Sequence, residues 1–163
     1  MVIRDGICRL QLSGMRRSRQ KRIIRVVPAF TGRPWVFDAL GSSSDLDTAI
    51  DSAEDDGGLV RLDARAMRTA DELWDVYGRH FSFPTTVENW PAFHEYIRDL
   101  SWFQAFSYLT VIEHAGFILA DEPLERATFR RLLSYAGQAW ENSPVTEFRF
   151  NSVFLFDVSP STG

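Results

Sequence analysis

The sequence predicts an α/β fold in which a small three-stranded parallel sheet packs against helices. Short β-rich apolar runs at 59–62, 108–112 and 148–157 alternate with amphipathic segments. Strands separated by helices indicate a parallel sheet, because each helix carries the chain back to the start of the next strand. The apolar fraction of 45% is sufficient for a packed core, and the single cysteine, Cys8, rules out an intrachain disulfide. We therefore expect a protein of a reducing compartment, the cytoplasm.

Residues 1–34 show no periodicity that demands packing, and they carry a basic run from Arg16 to Arg25. We interpret residues 1–34 as a basic arm that is predicted to be disordered. Alternatively, the start codon is assigned too far upstream, and Met15 is another candidate start. The functional alternative is an arm that touches nucleic acid or membrane. Residues 1–34 are predicted to be dispensable for folding.

Residues 35–58 are interpreted as an N-terminal extension of the domain. A short strand is predicted at 35–40 and a short helix at 45–53, whose one narrow apolar face consists of Leu46, Ile50 and Ala53. The sequence Asp-Asp-Gly-Gly at 55–58 breaks the chain, so we place the domain boundary there.

The main domain is placed at 59–157 and is followed by a tail at 158–163. Thr69 and Glu72 have the spacing of a capping box and predict a helix that ends near Phe81. A helical turn is predicted at 117–119, and another helix starts at 121–123. Its apolar stripe consists of Phe129, Leu132, Leu133, Ala136 and Trp140.

A further helix, at 88–100, separates two kinds of side chain. At about 100° per residue, one side carries Trp90, Phe93, Ile97 and Leu100, which predicts a core stripe. The roughly opposite side carries Glu88, Ala92, Glu95 and Asp99, whose three carboxylates fall within about 40° of arc. Asn89 is a candidate cap, and Pro91 suits the first turn, where its missing N–H costs little.

The net charge of −4 conceals a strong asymmetry between two parts of the chain. Residues 1–26 carry a formal charge of +7, whereas residues 27–163 carry −11. The acidic part should repel nucleic acid and membrane surfaces and attract a basic protein. No apolar run approaches the roughly 20 residues that span a bilayer.

Catalytic and metal-binding motifs are not recognisable in the sequence. His80, His94 and His114 lack metal-ligand spacing, so no metal and no cofactor is expected. His94 and Glu95 are adjacent, and adjacent helical residues point about 100° apart, so they do not converge for acid–base work. His94 is interpreted as a half-buried packing residue, and His114 as a polar residue at a strand end.

The stretch FPTTVENWPAFHEYIRDLSW at 83–102 resembles the signature of the barstar family. These are small bacterial proteins that inhibit barnase-type ribonucleases. The resemblance covers about residues 59–157, and it implies that the loop before the helix and the helix's exposed face plug a ribonuclease active site. Glu95 falls on the family's principal acidic anchor. The partner-binding residues that follow from the resemblance and the helix pattern are Glu95, Asp99, Glu88, Asn89, Pro91 and Thr86.

Two features depart from the family pattern. Pro91 replaces the usual aspartate, and the loop at 85–87 lacks the usual aromatic residue and glycine. The expected function is a monomeric, non-enzymatic inhibitor or immunity protein that binds a basic ribonuclease or nuclease toxin. The alternatives are a diverged binding or regulatory module without a nuclease target, and an enzyme using Glu95, His94 or His114.

Overall fold

The structure is a computed structural model that describes residues 33–41, 58–105, 107–144 and 149–158, together with the backbone of 2–4 and 7–9. The strands are β1 (Val2–Arg4), β2 (Ile7–Arg9), β3 (Val36–Leu40), β4 (Leu59–Asp63), β5 (Tyr108–Glu113) and β6 (Phe150–Phe156). The α-helices are α1 (Ala70–His80), α2 (Trp90–Asp99) and α3 (Glu125–Glu141), with 3₁₀ turns at Ala64–Ala66 and Ala115–Phe117. The helix predicted at 45–53 and the basic run at 16–25 lie outside the described residues.

The strands form one sheet in the order β1-β2-β3-β6-β5-β4. Strands β3, β6, β5 and β4 are parallel to their neighbours, β2 is parallel to β3, and β1 is antiparallel to β2. The predicted α/β fold with a parallel sheet is therefore confirmed. The predicted count of three strands is too low, because β3 pairs with β6 from Val36 opposite Ser152 to Leu40 opposite Phe156.

The N-terminal third of the chain contributes strands to this same sheet. The expectation of a disordered arm at 1–34 is wrong for Val2–Arg4 and Ile7–Arg9, which form β1 and β2. The two segments contain the β-branched residues Val2, Ile3 and Ile7, and they extend the open edge of β3 through backbone pairing. The division of the chain into arm, extension and domain otherwise stays a prediction.

Helix α1 starts at the predicted capping box. The Glu72 amide donates to Thr69 Oγ1 at 3.3 Å, and the Thr69 amide donates to Glu72 Oε2 at 3.2 Å. These reciprocal bonds satisfy two amides that the first turn leaves without helical partners. The helix ends as predicted, with the Phe81 amide bonded to Tyr77 O at 2.8 Å.

Other element boundaries differ from the predictions by a few residues. The short turn lies at Ala115–Phe117 and not at 117–119, and α3 begins at Glu125, just after Pro123. Phe129, Leu133 and Ala136 of its stripe are fully buried, whereas Leu132 and Trp140 are partly buried. None of the helices among the described residues has the length and apolarity needed to cross a bilayer.

The three α-helices of the described residues pack on one face of the sheet, called here the front face. Their buried side chains join strand residues such as Val60, Ile112 and Phe154 in a single hydrophobic core. Aromatic rings dominate its centre: Tyr77 meets Phe93 edge-on with centroids 5.0 Å apart, and meets Phe129 edge-on at 5.9 Å. Such pairs add to the free energy gained by burial alone.

Strand β3 is tied to α3 as well as to β6. Trp35, just before β3, donates its Nε1–H to Glu141 Oε2 at 2.8 Å, and Arg130 donates to Asp38 Oδ1 at 2.8 Å. Gly137 permits this close approach, because a Cβ there would lie 2.4 Å from the Trp35 Cβ. The extension therefore packs against the domain through side chains as well as backbone.

Candidate partner-binding surface

Helix α2 begins where Asn89 caps it. Asn89 has extended backbone angles, and its Oδ1 accepts the Ala92 amide at 2.8 Å. Pro91 lies in the first turn, where no helical bond is lost. The helix ends at Leu100, whose left-handed conformation (φ 43°) stops the helical path while its side chain stays buried.

The inner face of α2 anchors the helix to the core as predicted, with one difference. Phe93 and Ile97 are fully buried, and the Trp140 Nε1–H donates to Ile97 O at 3.0 Å. Trp90 is only partly buried. Its ring meets Trp74 edge-on at 5.2 Å, and its Nε1–H donates to Glu125 Oε2 at 2.7 Å. The indole therefore lies at the edge of the core, because its polar nitrogen needs a carboxylate partner.

The outer face of α2 carries the predicted acidic residues. Glu95, Asp99 and Pro91 are all exposed. The Glu95 side chain is 74% exposed, and Arg98 Nη1 lies 3.8 Å from its Oε1. An exposed pair at this distance contributes about 0–1 kcal/mol. Arg98 therefore does not prevent Glu95 from taking a better partner.

The other three predicted residues precede the helix. Glu88, Thr86 and Asn89 are exposed, but Asn89 already uses its side-chain oxygen as the cap. Since α2 begins at Trp90, the arc of about 40° deduced from helical spacing applies to Glu95 and Asp99 and not to Glu88. The expectation that all three carboxylates share one helical face is wrong for Glu88, which belongs to the loop.

The loop before α2 is held in place by its aromatic residue. Phe83 contacts Tyr96 with ring centroids 5.1 Å apart and meets Trp102 edge-on at 6.2 Å. The Thr85 and Tyr96 hydroxyls are hydrogen-bonded to each other, and Val87 is buried. Residues 83–88 are thereby fixed against both α2 and the core.

A groove of about 550 Å³ lies between this loop and α1. Asp71 and Asp75 of α1 line one wall, and Thr86 and Glu88 of the loop line the other. Arg79 also lines it and is paired with Asp75 at 3.2 Å. Sequence reasoning missed Asp71 and Asp75, because only the fold brings α1 beside the loop. Their i, i+4 spacing on an exposed helical face was the available signal.

A second groove, of about 570 Å³, continues along the starts of α1 and α3. Its lining includes Asp71, Trp74, Trp90, Asp121, Glu122 and Glu125. Arg68 bonds Asp121 at 2.7 Å, and this hydrogen bond lowers the pKa of that carboxyl. The Ala70 amide donates to Glu122 at 2.7 Å. The acidic character therefore extends from α2 across the helix N-termini.

The histidines take separate structural roles. His94 is half-buried, as predicted, and its ring lies 6.4 Å from that of Tyr135. Burial, followed by the charge of Arg98, lowers the pKa of His94. His114 Nδ1 lies 2.8 Å from Asp157 Oδ2, at the ends of β5 and β6. His114 pairs with Asp157, just after β6, and His94 packs against Tyr135 of α3, so these contacts do not join the two histidines into a catalytic pair.

Comparison with known families matches residues 58–151 to the family described as Barstar (barnase inhibitor). The matched segment is more than half of the 163-residue chain, and it contains β4, β5, the helices α1, α2 and α3, and the start of β6. A search of curated proteins found no match.

Proposed function

Since the chain belongs to the barstar family, we propose that it inhibits a basic ribonuclease by placing the outer face of α2 in the enzyme's active site. The family consists of inhibitors that bind barnase-like ribonucleases. The proposed contact residues are Glu95 and Asp99 on α2, with the loop residues Thr86 and Glu88, and Asn89 and Pro91 where the helix starts.

The observation that supports the proposal best is that α2 has one buried apolar side and one exposed acidic side. Phe93 and Ile97 are fully buried on one side, and Glu95 is 74% exposed on the other. The helix is thus held rigidly while its acidic side remains accessible. Glu95 also occupies the position that the family resemblance marks as the acidic anchor.

The chemistry of the partner explains why carboxylates suit this surface. An enzyme that binds RNA presents arginine, lysine and histidine to the phosphates, and carboxylates can replace phosphates in charge-assisted hydrogen bonds. Asp71, Asp75 and Glu88 around the neighbouring groove add to the negative potential. The barnase–barstar pair is the general example of electrostatically steered association, so steering is an expectation drawn from the family.

The experiment is a titration of a purified barnase-type ribonuclease with wild type, Glu95→Ala and Asp157→Ala. Asp157 is the matched control, because it carries the same charge, has a 56% exposed side chain and lies after β6. Truncating one partner of a buried charge pair costs about 2–5 kcal/mol, so Glu95→Ala should weaken inhibition roughly 30- to 5,000-fold. Asp157→Ala should inhibit like wild type. Equal inhibition by all three proteins, or none by any, contradicts the proposal.

Salt and Pro91 provide two further measures of the same contact. Raising the ionic strength should slow association more than it speeds dissociation, because steering is screened beyond about a Debye length.

Pro91→Asp restores the usual acidic residue in the first turn of α2, where a carboxylate also suits the helix dipole. This variant is expected to bind a barnase-type enzyme more tightly than wild type.

A further inference from the structure

A small pocket of about 130 Å³ lies on the front face of the sheet, at the carboxyl ends of β5 and β6. Its walls come from the end of β6, the start of α3 and the 3₁₀ turn that follows β5. Open α/β sheets bind ligands in crevices at the carboxyl ends of their strands. The pocket shares no lining residue with the two acidic grooves, so it is separate from the proposed partner surface.

The interior of this pocket is apolar. Its apolar lining consists of Ala115, Gly116, Ile118, Phe129, Phe154 and Phe156. Ile118, Phe129 and Phe154 are at most 5% exposed, so the core holds these walls in place. A cavity of about 150 Å³ holds one benzene ring, whereas sites for drug-sized ligands measure about 300–1,000 Å³. The pocket therefore suits one ring, or one branched group of similar size.

Two arginines of α3 complete the lining, and no acidic residue belongs to it. Arg130 is already paired, because its Nη1 donates to Asp38 Oδ1 at 2.8 Å while its guanidinium carbon lies 4.5 Å from the Phe154 ring centroid. Arg126 donates its Nε–H to Ile118 O at 2.8 Å. Within the part of the chain that the structure describes, both Nη nitrogens of Arg126 are left without a partner. The lining therefore carries one positive charge that no carboxylate balances.

The chemistry of Arg126 selects the charged group of a ligand. A half-buried guanidinium with two free Nη nitrogens binds a carboxylate through two parallel charge-assisted hydrogen bonds. Residues 27–163 carry a formal charge of −11, so the pocket runs against the charge of its surroundings. Those surroundings repel a polyanion such as nucleic acid much more than an ion with a single charge. The ligand indicated by these features has one carboxylate and one compact apolar group.

We propose that this pocket binds a small monocarboxylate whose apolar part is an aromatic ring or a branched group of about six carbon atoms. The apolar part lies among Ile118, Phe129 and Phe154, and the carboxylate accepts hydrogen bonds from the two Nη nitrogens of Arg126. The site is additional to the acidic surface of α2 and does not rest on ribonuclease inhibition.

The first test is a titration of the full chain with benzoate, followed by the chemical shifts of the Ile118 methyl groups. Benzoate should give saturable shifts with a dissociation constant on the order of 0.1–1 mM. Benzamide keeps the ring without the charge, and acetate keeps the charge without the ring. Each should bind at least about tenfold more weakly than benzoate. Absence of saturable shifts with benzoate, or equal binding of either control compound, would overturn the proposal.

The second test uses three variants of the full chain. A Cβ at Gly116 would meet no heavy atom within 4 Å, so Gly116→Leu should fill the pocket and prevent benzoate binding with the melting temperature changed by less than about 2 °C. Arg126→Gln keeps a donor for Ile118 O but should weaken benzoate binding at least about tenfold. Arg131→Gln is the matched control, because Arg131 is exposed on α3 outside the pocket lining, and it should bind like wild type. Wild-type affinity of Gly116→Leu or Arg126→Gln, or an equal loss in Arg131→Gln, would overturn the assignment of this site.

Discussion

Helix α2 and strand β3 are both attached to the same sheet-and-helix core, but by different kinds of contact. Helix α2 lies within the family-matched segment and uses one face for the core and the other for solvent. Strand β3 lies outside that segment, and Val36, Phe37 and Ala39 are buried on both of its faces. An exposed face can change without loss of stability, whereas a strand buried on both sides cannot. Function should therefore depend on α2, and stability on both.

The sharpest test of this difference compares two N-terminal deletions. Removing residues 1–57 takes away the buried side chains of β3, each worth about 1.5–3 kcal/mol for a large apolar group. Their sum is comparable to the whole free energy of unfolding of a domain, so this variant should lose cooperative thermal unfolding. Removing residues 1–34 should leave the melting temperature nearly unchanged, because no described core side chain comes from them. A cooperative, stable 58–163 fragment would show that β3 is an accessory strand.

Substitutions of Trp90 measure how much the inner side of α2 contributes to the free energy of unfolding. Trp90→Ala removes a partly buried indole and its bond to Glu125, and it should lower the free energy of unfolding by about 2–4 kcal/mol. Trp90→Phe keeps an aromatic ring against Trp74 and Phe93 and should lose only about 0.5–1.5 kcal/mol. Urea unfolding measures both. Unchanged stability of Trp90→Ala combined with weaker nuclease binding would mean that Trp90 belongs to the partner surface.

Gly137 of α3 and Gly78 of α1 provide a matched pair of substitutions that test how Trp35, just before β3, packs on α3. A Cβ on Gly137 would lie 2.4 Å from Trp35 Cβ and 2.9 Å from Phe150 O, so Gly137→Ala should cost about 1–3 kcal/mol. A Cβ on Gly78 meets nothing closer than 3.7 Å, so Gly78→Ala should stabilise α1 by about 0.5–1 kcal/mol. Thermal unfolding of the two variants gives the comparison. Similar values for both would mean that Trp35 does not pack on α3.

The smallest expected effect concerns His94, beside the acidic face. Burial and the charge of Arg98 lower its pKa in the folded protein, with Glu95 opposing them, and the Tyr135 ring lies next to it. The unfolded chain therefore binds this proton more readily than the folded chain. The contribution of His94 to the free energy of unfolding is fully present above a pH of about 6.5, and it is lost as the pH falls through the pKa of the folded protein. The urea midpoint of His94→Gln should fall less between pH 7.5 and 5.5 than that of wild type. An identical fall would contradict the lowered pKa of His94 in the folded protein.

Much of the local structure could be predicted along the chain. The capping-box spacing of Thr69 and Glu72 predicts the start of α1, and Asn89 with Pro91 predicts the start of α2. The spacing of Phe93 and Ile97 predicts the buried side of α2. These features depend on contacts within about one helical turn, and the chain order alone brings such residues together. The same is true of the family resemblance at 83–102, whose motif is a continuous stretch.

Contacts between distant segments were decided by the tertiary structure. Asp71 and Asp75 of α1 lie at the groove beside Glu88, the indole of Trp90 turns to Glu125, and β3 adds a fourth parallel strand to the three predicted. Periodicity shows that a residue is buried or exposed, but not which distant side chain it meets. That choice depends on how whole elements pack together, as where Gly137 alone is small enough for Trp35, about one hundred residues earlier in the chain.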